Sequence, residues 1–254
     1  MYPYLEIAGH EIASYSVMAA VGLIAAMIFI FVRTGRKNVD FFQAALFFLL
    51  MVSMGALGGW LMYVAVTAAQ MPEIWGLLLV SPSGFFSKTG TGFVYYGGLL
   101  GMLGGIGICR RIIPDDTDTL LYASVPAIPL FHIFGRIGCY LAGCCYGIRI
   151  DGRVVPVQLY ESAGNLVIFM VLMLAGRHNG NSRKQLGLYM VMYGIMRFML
   201  EFLRGDEIRG HLGIFSTSQW LSIAVIIPVG IYNLYRSAGM TASKRRVNGG
   251  VEVK

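Results

Sequence analysis

Residues 42–69, FQAALFFLLMVSMGALGGWLMYVAVTAA, run for 28 positions without a charged side chain. A helix needs about 20 apolar residues to cross about 30 Å of hydrocarbon, so this stretch can span a bilayer with some tilt. The rest of the chain is similar: 56% of its 254 residues are hydrophobic and 13% are charged, against about 25% charged in soluble domains. The mean hydropathy is +0.66. The composition predicts a polytopic membrane protein and excludes disordered and disulfide-rich classes.

Six further apolar segments accompany this one, each near the length of a membrane span. We therefore predict an all-α fold of about seven transmembrane helices, and we expect Pro126 and Pro129 to kink the fourth. The predicted spans are residues 12–32, 42–69, 93–109, 119–139, 160–176, 185–203 and 215–235.

Basic side chains are distributed unequally between the two sets of loops. Thirteen of the twenty Lys and Arg residues fall on one side and five on the other, while Arg136 and Arg197 fall within predicted spans. Because the positive-inside rule places the richer side in the cytoplasm, we predict an external N-terminus and a cytoplasmic C-terminus. The net charge of +7 is then mainly a topology signal, and nucleic-acid binding is not predicted.

The chain is predicted to form one integral membrane domain over residues 1–240, followed by a basic cytoplasmic tail over 241–254. Segment 71–92 is too long for a tight turn and contains a short apolar run at 74–80. This pattern indicates an interfacial or re-entrant element on the external side. No internal repeat is visible in the sequence, which argues against the repeat-based secondary transporters.

The strongest functional signal is YGIMRFMLEFLR at residues 193–204. Tyr193, Arg197, Glu201 and Arg204 follow at helical spacing and lie on one helix face. An ionisable side chain within a span is costly and marks a candidate functional site. A structural ion pair between Arg197 and Glu201 is the alternative interpretation, but it does not explain the second cation.

A second signal is GRIGCYLAGCCYG at residues 135–147. Arg136 lies between Gly135 and Gly138, which permit close backbone approach to a bulky group. A guanidinium group makes bidentate contacts with phosphate and keeps its proton, so Arg136 and Arg197 together could clamp one lipid phosphate. The alternative is that Arg136 extends to the membrane interface.

Two further stretches carry polar residues or glycine. PVQLYE at residues 156–161 places Gln158, Tyr160 and Glu161 where the fifth span begins, and Glu161 alternatively stabilises the helix dipole there. YYGGLLG at residues 95–101 begins a glycine run that, taken alone, is typical of a helix-packing surface.

The cysteines are expected to be packing residues. Cys139, Cys144 and Cys145 cluster in the sequence, but the last two are adjacent and His132 is their only nearby histidine, so no metal site is predicted. A disulfide from Cys139 to either neighbour is an open alternative on an oxidising external side. His132 itself is interpreted as a hydrogen-bonded interior residue.

Together these segments resemble the prolipoprotein diacylglyceryl transferase family over residues 15–219. The family's G-R-x-G-N-F signature is similar to 135–147, and its P-x-Q-L-Y-E element matches 156–161. Its Y-G-x-x-R-F-x-x-E-F-x-R helix matches 193–204 at every fixed position. Tyr15 lies where the family also carries a functional tyrosine.

The resemblance implies a bacterial enzyme of the cytoplasmic membrane that needs no metal, nucleotide or redox cofactor. Its donor would be phosphatidylglycerol, taken from the surrounding membrane lipid. Its acceptor would be the lipobox cysteine in the signal peptide of a prolipoprotein, and glycerol phosphate would be released. Catalytic roles are predicted for Arg136, Arg197 and Tyr96, and substrate-binding roles for Tyr15, Gly97, Gly98, Gly138, Gln158, Tyr160, Glu161, Tyr193, Glu201 and Arg204.

The chain departs from the family pattern at three positions. The family's H-G-G-L element, whose histidine has been assigned a base role, has Tyr96 in place of that histidine. The signature's asparagine is Cys139, and its acidic residue is Cys144. Two alternatives therefore remain: a diverged member that acts on a different acceptor, and a non-catalytic membrane protein that binds or transports lipid.

Overall fold

The computed structural model describes residues 2–7, 9–70, 76, 80, 81, 83–85, 92–178, 181–205, 211, 212 and 214–249. Within them the chain forms two compact units. The first unit comprises Met1–Asn38 and Asp118–Lys254, and the second comprises Val39–Thr117. The predicted external element at 71–92 and the end of the predicted tail lie largely outside the described residues.

The described elements are mostly helices, with short two-stranded hairpins at some helix ends. In chain order they are β1 (Tyr4–Ile7), β2 (His10–Ala13), α1 (Ser14–Gly35), α2 (Phe41–Gln70), α3 (Tyr95–Ile112), α4 (Pro114–Ser124), α5 (Ala127–Ala142), β3 (Arg149–Ile150), β4 (Arg153–Val154), α6 (Val157–His178), α7 (Ser182–Glu201), β5 (His211–Leu212), β6 (Phe215–Ser216), α8 (Thr217–Leu221), a π-helical turn (Ser222–Ile226) and α9 (Ile227–Gly249).

Each apolar segment predicted from the sequence coincides with one helix or a broken helix. By length and hydropathy, four of the described helical stretches can cross a membrane, and the pair α4–α5 adds a fifth if it is one broken span. α3 and α7 are helical as predicted, but the glycines and arginines of α3 and the charged residues of α7 lower their hydropathy. The protein is a multi-pass membrane protein, and the count of seven spans stays a prediction.

The kink predicted in the fourth segment is confirmed. α4 ends at Ser124 and α5 begins at Ala127, and the two helices are bent by 43° relative to each other. Pro126 occupies the break and Pro129 lies in the first turn of α5. A proline lacks the backbone N–H that would continue the helix, so the bend is expected at this position.

Glycines set the distance between several helices of the first unit. A Cβ at Gly22 of α1 would lie 3.0 Å from Phe134 Cβ and 3.1 Å from the Phe131 carbonyl oxygen of α5. A Cβ at Gly187 of α7 would lie 2.7 Å from the Gly230 carbonyl oxygen of α9. Close backbone approach of this kind is typical of helix association in membranes.

The second unit is built on a closer contact of the same type. α2 and α3 cross at Gly58, Gly97 and Gly101, where an added Cβ at any of the three would meet backbone atoms of the other helix. This confirms the interpretation of the glycine run as a helix-packing surface.

The C-terminal ends of α5 and α7 meet at one end of the first unit. The backbone N–H of Ile148 donates to the Leu203 carbonyl at 2.9 Å, and that of Gly205 donates to the Tyr146 carbonyl at 3.2 Å. Gly147 and Arg204 form a β-bridge between them. α6 begins beside this junction, so polar residues from three helices converge here.

Candidate functional site

Glu161 is the centre of a buried polar cluster in the first unit. It is 0% exposed, and its Oε1 lies 3.0 Å from Arg136 Nη2 and 3.6 Å from His132 Nε2. The hydroxyl of Tyr193 lies 3.4 Å from the same oxygen. Since α6 begins at Val157 and has no acidic residue in its first turn, the interpretation of Glu161 as a residue that stabilises the helix dipole is wrong.

Arg136 is held in place by groups on both sides of its guanidinium. Its Nε donates to His132 Nε2 at 3.1 Å, one helical turn earlier in α5, while Nη2 is paired with Glu161. A histidine nitrogen that accepts a hydrogen bond is unprotonated. His132 is therefore the hydrogen-bonded interior residue that was predicted, and it fixes the plane of the guanidinium.

Arg197 forms the second part of the cluster. Its Nη2 lies 2.5 Å from Glu201 Oε2 and 3.5 Å from the hydroxyl of Ser218 at the start of α8. Its Nη1 is buried and has no hydrogen-bond partner among the described residues, and the residue as a whole is only 3% exposed. The structural ion pair considered for this helix exists, but it uses only part of the guanidinium.

Aromatic and charge contacts join the two arginines into one site. The rings of His132 and Tyr193 lie 5.4 Å apart, and Tyr193 precedes Arg197 by one turn of α7. Arg136, Arg197 and Arg204 all interact electrostatically with Glu161. Within the described residues, three guanidinium groups thus lie around the carboxylate of Glu161, and Arg197 is also paired with Glu201.

Three other predicted residues border this cluster. Gly138 packs against α1, where an added Cβ would lie 3.2 Å from Tyr15 Cα, and the Tyr15 hydroxyl interacts electrostatically with Arg136. Gln158 is 2% exposed and donates through Nε2 to the Cys144 carbonyl at 2.7 Å. Its Oε1 is buried without a hydrogen-bond partner in the described structure.

The remaining predicted site residues lie elsewhere. Tyr160 is 50% exposed, unlike its buried neighbour Glu161. Tyr96, Gly97 and Gly98 belong to the second unit, where Tyr96 is 4% exposed and both glycines pack closely on α2 and Phe93. Their substrate or catalytic roles stay predictions.

All four cysteines are free thiols. The Sγ atoms of Cys139, Cys144 and Cys145 lie within 4.8 Å of one another. α5 ends at Ala142, the following Gly143 has a left-handed φ of 74°, and Cys145 has a φ of 58°. This turn brings the two adjacent cysteines back beneath the helix end, close to Cys139.

Ser218 is the functional candidate that the sequence analysis missed. It lies inside a capping box in which the Gln219 N–H donates to Ser216 Oγ at 3.3 Å and the Ser216 N–H donates to Gln219 Oε1 at 3.0 Å. The S-x-x-Q spacing is a recognisable helix start. It indicates the beginning of α8, but not that Ser218 would contact an arginine on another helix.

Known proteins of one family are similar to this chain over most of its length. The sequence model of prolipoprotein diacylglyceryl transferase matches residues 3–235. Phosphatidylglycerol–prolipoprotein diacylglyceryl transferase 2 of Clostridium perfringens (strain 13 / Type A) is 33% identical over 255 residues, which cover 92% of this chain and 95% of that protein. The corresponding transferase of Clostridium tetani (strain Massachusetts / E88) is 32% identical and covers 93% of this chain and 98% of its own.

A more distant relative has similar coverage. The phosphatidylglycerol–prolipoprotein diacylglyceryl transferase of Clostridioides difficile (strain 630) is 26% identical over 241 residues, covering 90% of this chain and 92% of its own length. The match to the family model extends over both units and includes every residue of the buried cluster. The chain belongs to the prolipoprotein diacylglyceryl transferase family.

Proposed function

We propose that this protein is an enzyme that transfers the diacylglyceryl group of phosphatidylglycerol to the lipobox cysteine of a prolipoprotein. The observation that carries the proposal is the buried Nη1 of Arg197, which has no hydrogen-bond partner among the described residues and belongs to the same cluster as Arg136. A buried donor without a partner is costly. A phosphodiester carries one negative charge and several acceptor oxygens, so it can accept a hydrogen bond from this group.

The arginines hold the phosphate of the lipid. Arg197 supplies its unpartnered Nη1, and Arg136 approaches from the facing helix with its orientation fixed by His132 and Glu161. Glu201 and Ser218 orient Arg197 in the same way. Charge that grows on the phosphate as it departs is stabilised most effectively by groups that are already oriented.

The head-group hydroxyls of phosphatidylglycerol find acceptors in the same cluster. Glu161 Oε2 and Gln158 Oε1 are buried and have no hydrogen-bond partners among the described residues. Both oxygens lie on α6 within about one turn of each other. A glycerol head group offers two hydroxyl donors, which a choline or a simple phosphate head group lacks.

The chemical step is a displacement at carbon. The cysteine sulfur of the acceptor forms a bond to the glycerol carbon that bears the phosphate ester, and the C–O bond of that ester breaks. The electron pair stays on the phosphate oxygen, and glycerol phosphate leaves. The thiol proton is released to solvent as the thioether forms. Guanidinium charge favours the thiolate, and Tyr96 positions the lipid or relays the proton.

The membrane arrangement is part of the same proposal. Seven spans would place the N-terminus and the buried cluster at the external side of a bacterial cytoplasmic membrane, with both units in one domain and the basic tail in the cytoplasm. The support is the uneven distribution of Lys and Arg between the loops. A reporter fused after Lys254 should behave as cytoplasmic, and external behaviour would contradict the topology.

The test of function is a transfer assay with the purified full chain in detergent. Phosphatidylglycerol labelled in an acyl chain and a peptide that contains a lipobox cysteine should give a labelled thioether peptide and glycerol phosphate. A peptide with serine in place of the cysteine is the control. Retention of phosphatidylglycerol without transfer would contradict the enzyme and support a lipid-binding protein.

A further inference from the structure

The sulfur atoms of Cys139, Cys144 and Cys145 form a compact group beside the buried cluster. All three pairs of Sγ atoms lie within 4.8 Å, and all three thiols are free. Cys139 is 7% exposed, while Cys145 is partly exposed and Cys144 is exposed. The group is therefore anchored in the protein on one side and accessible on the other.

The sequence argues against a metal site because Cys144 and Cys145 are adjacent, but the fold still brings their sulfur atoms close to that of Cys139. Adjacent cysteines in an extended or helical chain point in different directions, which is why C-x-x-C spacing is usual. Here the left-handed conformations of Gly143 and Cys145 reverse the chain. The Gly143 N–H donates to the Tyr140 carbonyl at 3.2 Å, and the Cys144 N–H donates to the Cys139 carbonyl at 3.1 Å. Gln158 holds the Cys144 carbonyl from α6.

We propose that Cys139, Cys144 and Cys145 form a binding site for a thiophilic metal ion. Thiolate ligands select soft ions such as Cu(I) and Zn(II). Three sulfurs at about 2.3 Å from a central ion are about 4 Å apart, and the observed upper limit of 4.8 Å requires only a small contraction. A disulfide requires about 2.05 Å between two sulfurs and leaves the third unused.

Nearby charge suits three thiolates. Metal binding displaces the thiol protons and leaves negative charge on the sulfurs. Arg136 interacts electrostatically with Cys139 and Cys145, and Arg204 interacts with Cys145. These guanidinium groups offset the charge that the bound ion does not neutralise. The site does not depend on the proposed transferase reaction.

The test is a titration of the reduced full chain in detergent with Cd(II), a thiophilic probe with an ultraviolet sulfur-to-metal band. One ion per chain should bind and produce the band. Replacing any one of the three by serine should weaken binding by more than about 100-fold, since loss of an outer-sphere partner alone costs 10- to 100-fold. Cys109→Ser is the matched control, because Cys109 is buried in the second unit, and it should bind as the wild type does.

The proposal is overturned if the reduced wild type binds no more Cd(II), and gives no stronger band, than the triple serine variant. If the serine variants do not fold, alkylation of the wild type tests the site. Bound Cd(II) should protect Cys144 from alkylation, as located by mass spectrometry, and equal alkylation with and without the ion would contradict the site. Transfer activity in the triple variant would show that loss of the metal site leaves the transferase intact.

Discussion

The contact between α2 and α3 and the cluster around Glu161 are both tightly packed, but they are held together differently. At the first contact, Gly58, Gly97 and Gly101 let two backbones touch, and no side-chain chemistry is required. Around Glu161, charged and polar side chains from three helices pair with one another, but some of their buried hydrogen-bonding atoms have no partner among the described residues. Lipid is as apolar as leucine, so close packing is sufficient for association. Buried charge, by contrast, is expensive and is retained for function.

The largest effect should come from breaking the ion pair at Glu161. Glu161→Ala leaves the buried Arg136 without its carboxylate, and loss of one partner of a buried pair typically costs about 3–5 kcal/mol. We expect a clear drop in the thermal unfolding temperature in detergent, measured by intrinsic fluorescence. Glu6→Ala, which removes an exposed carboxylate, is the control and should change little. Equal stability of the two variants would show that Glu161 is not the centre of the cluster.

Loss of either arginine should slow the reaction, in addition to the loss of stability that follows when its carboxylate partner is left unpaired. Arg197→Ala, and separately Arg136→Ala, should lower the transfer rate by a factor of about 100 to 1,000, which corresponds to about 2.7–4 kcal/mol. Lysine at either position should restore only part of the rate, because the bidentate geometry is lost. Arg183→Ala, at the opposite end of α7, is the matched control. Near-normal rates in both alanine variants would contradict a phosphate clamp.

The glycine contact should respond to size and not to charge. Gly101→Ala places a methyl group against the Met54 carbonyl and 3.1 Å from Gly58 Cα, and such overpacking typically costs about 1–3 kcal/mol. Gly107→Ala in the same helix meets no atom within 4 Å and should be neutral or slightly stabilising. Thermal unfolding of the two variants decides the matter. An equally stable Gly101→Ala would mean that α2 and α3 can separate without loss.

The smallest effect is expected at Tyr96, a candidate site residue within the glycine-rich helix. If guanidinium charge generates the thiolate, Tyr96→Phe should slow transfer by about tenfold or less, or about 1.4 kcal/mol. Loss of an obligatory base would instead cost about 100- to 10,000-fold. Transfer rates against pH for the wild type, Tyr96→Phe and Tyr96→His distinguish the two. An inactive phenylalanine variant beside an active histidine variant would mean that position 96 carries the proton.

Much of the fold could be predicted because a bilayer imposes simple rules on sequence. Uncharged apolar stretches of sufficient length must be helical, and each predicted segment is helical in the structure. The proline kink after Ser124 and the packing role of the Gly97 region also follow from local chemistry. The helix boundaries and the short hairpins could not be predicted in this way. The pairing of hairpin strands depends on contacts that the pattern of apolar residues does not specify.

The sequence by itself identified the main charged residues of the candidate site. Arg136, Glu161 and Arg197 stand out because ionisable groups are rare in apolar helices. Only the tertiary structure decided how these groups pair, because pairing depends on which helix ends meet and how each side chain points. In the structure, Arg136 contacts His132 and Glu161, and Arg197 contacts Ser218. A left-handed turn brings three cysteine sulfurs together, and the spacing of these residues in the sequence does not predict that turn.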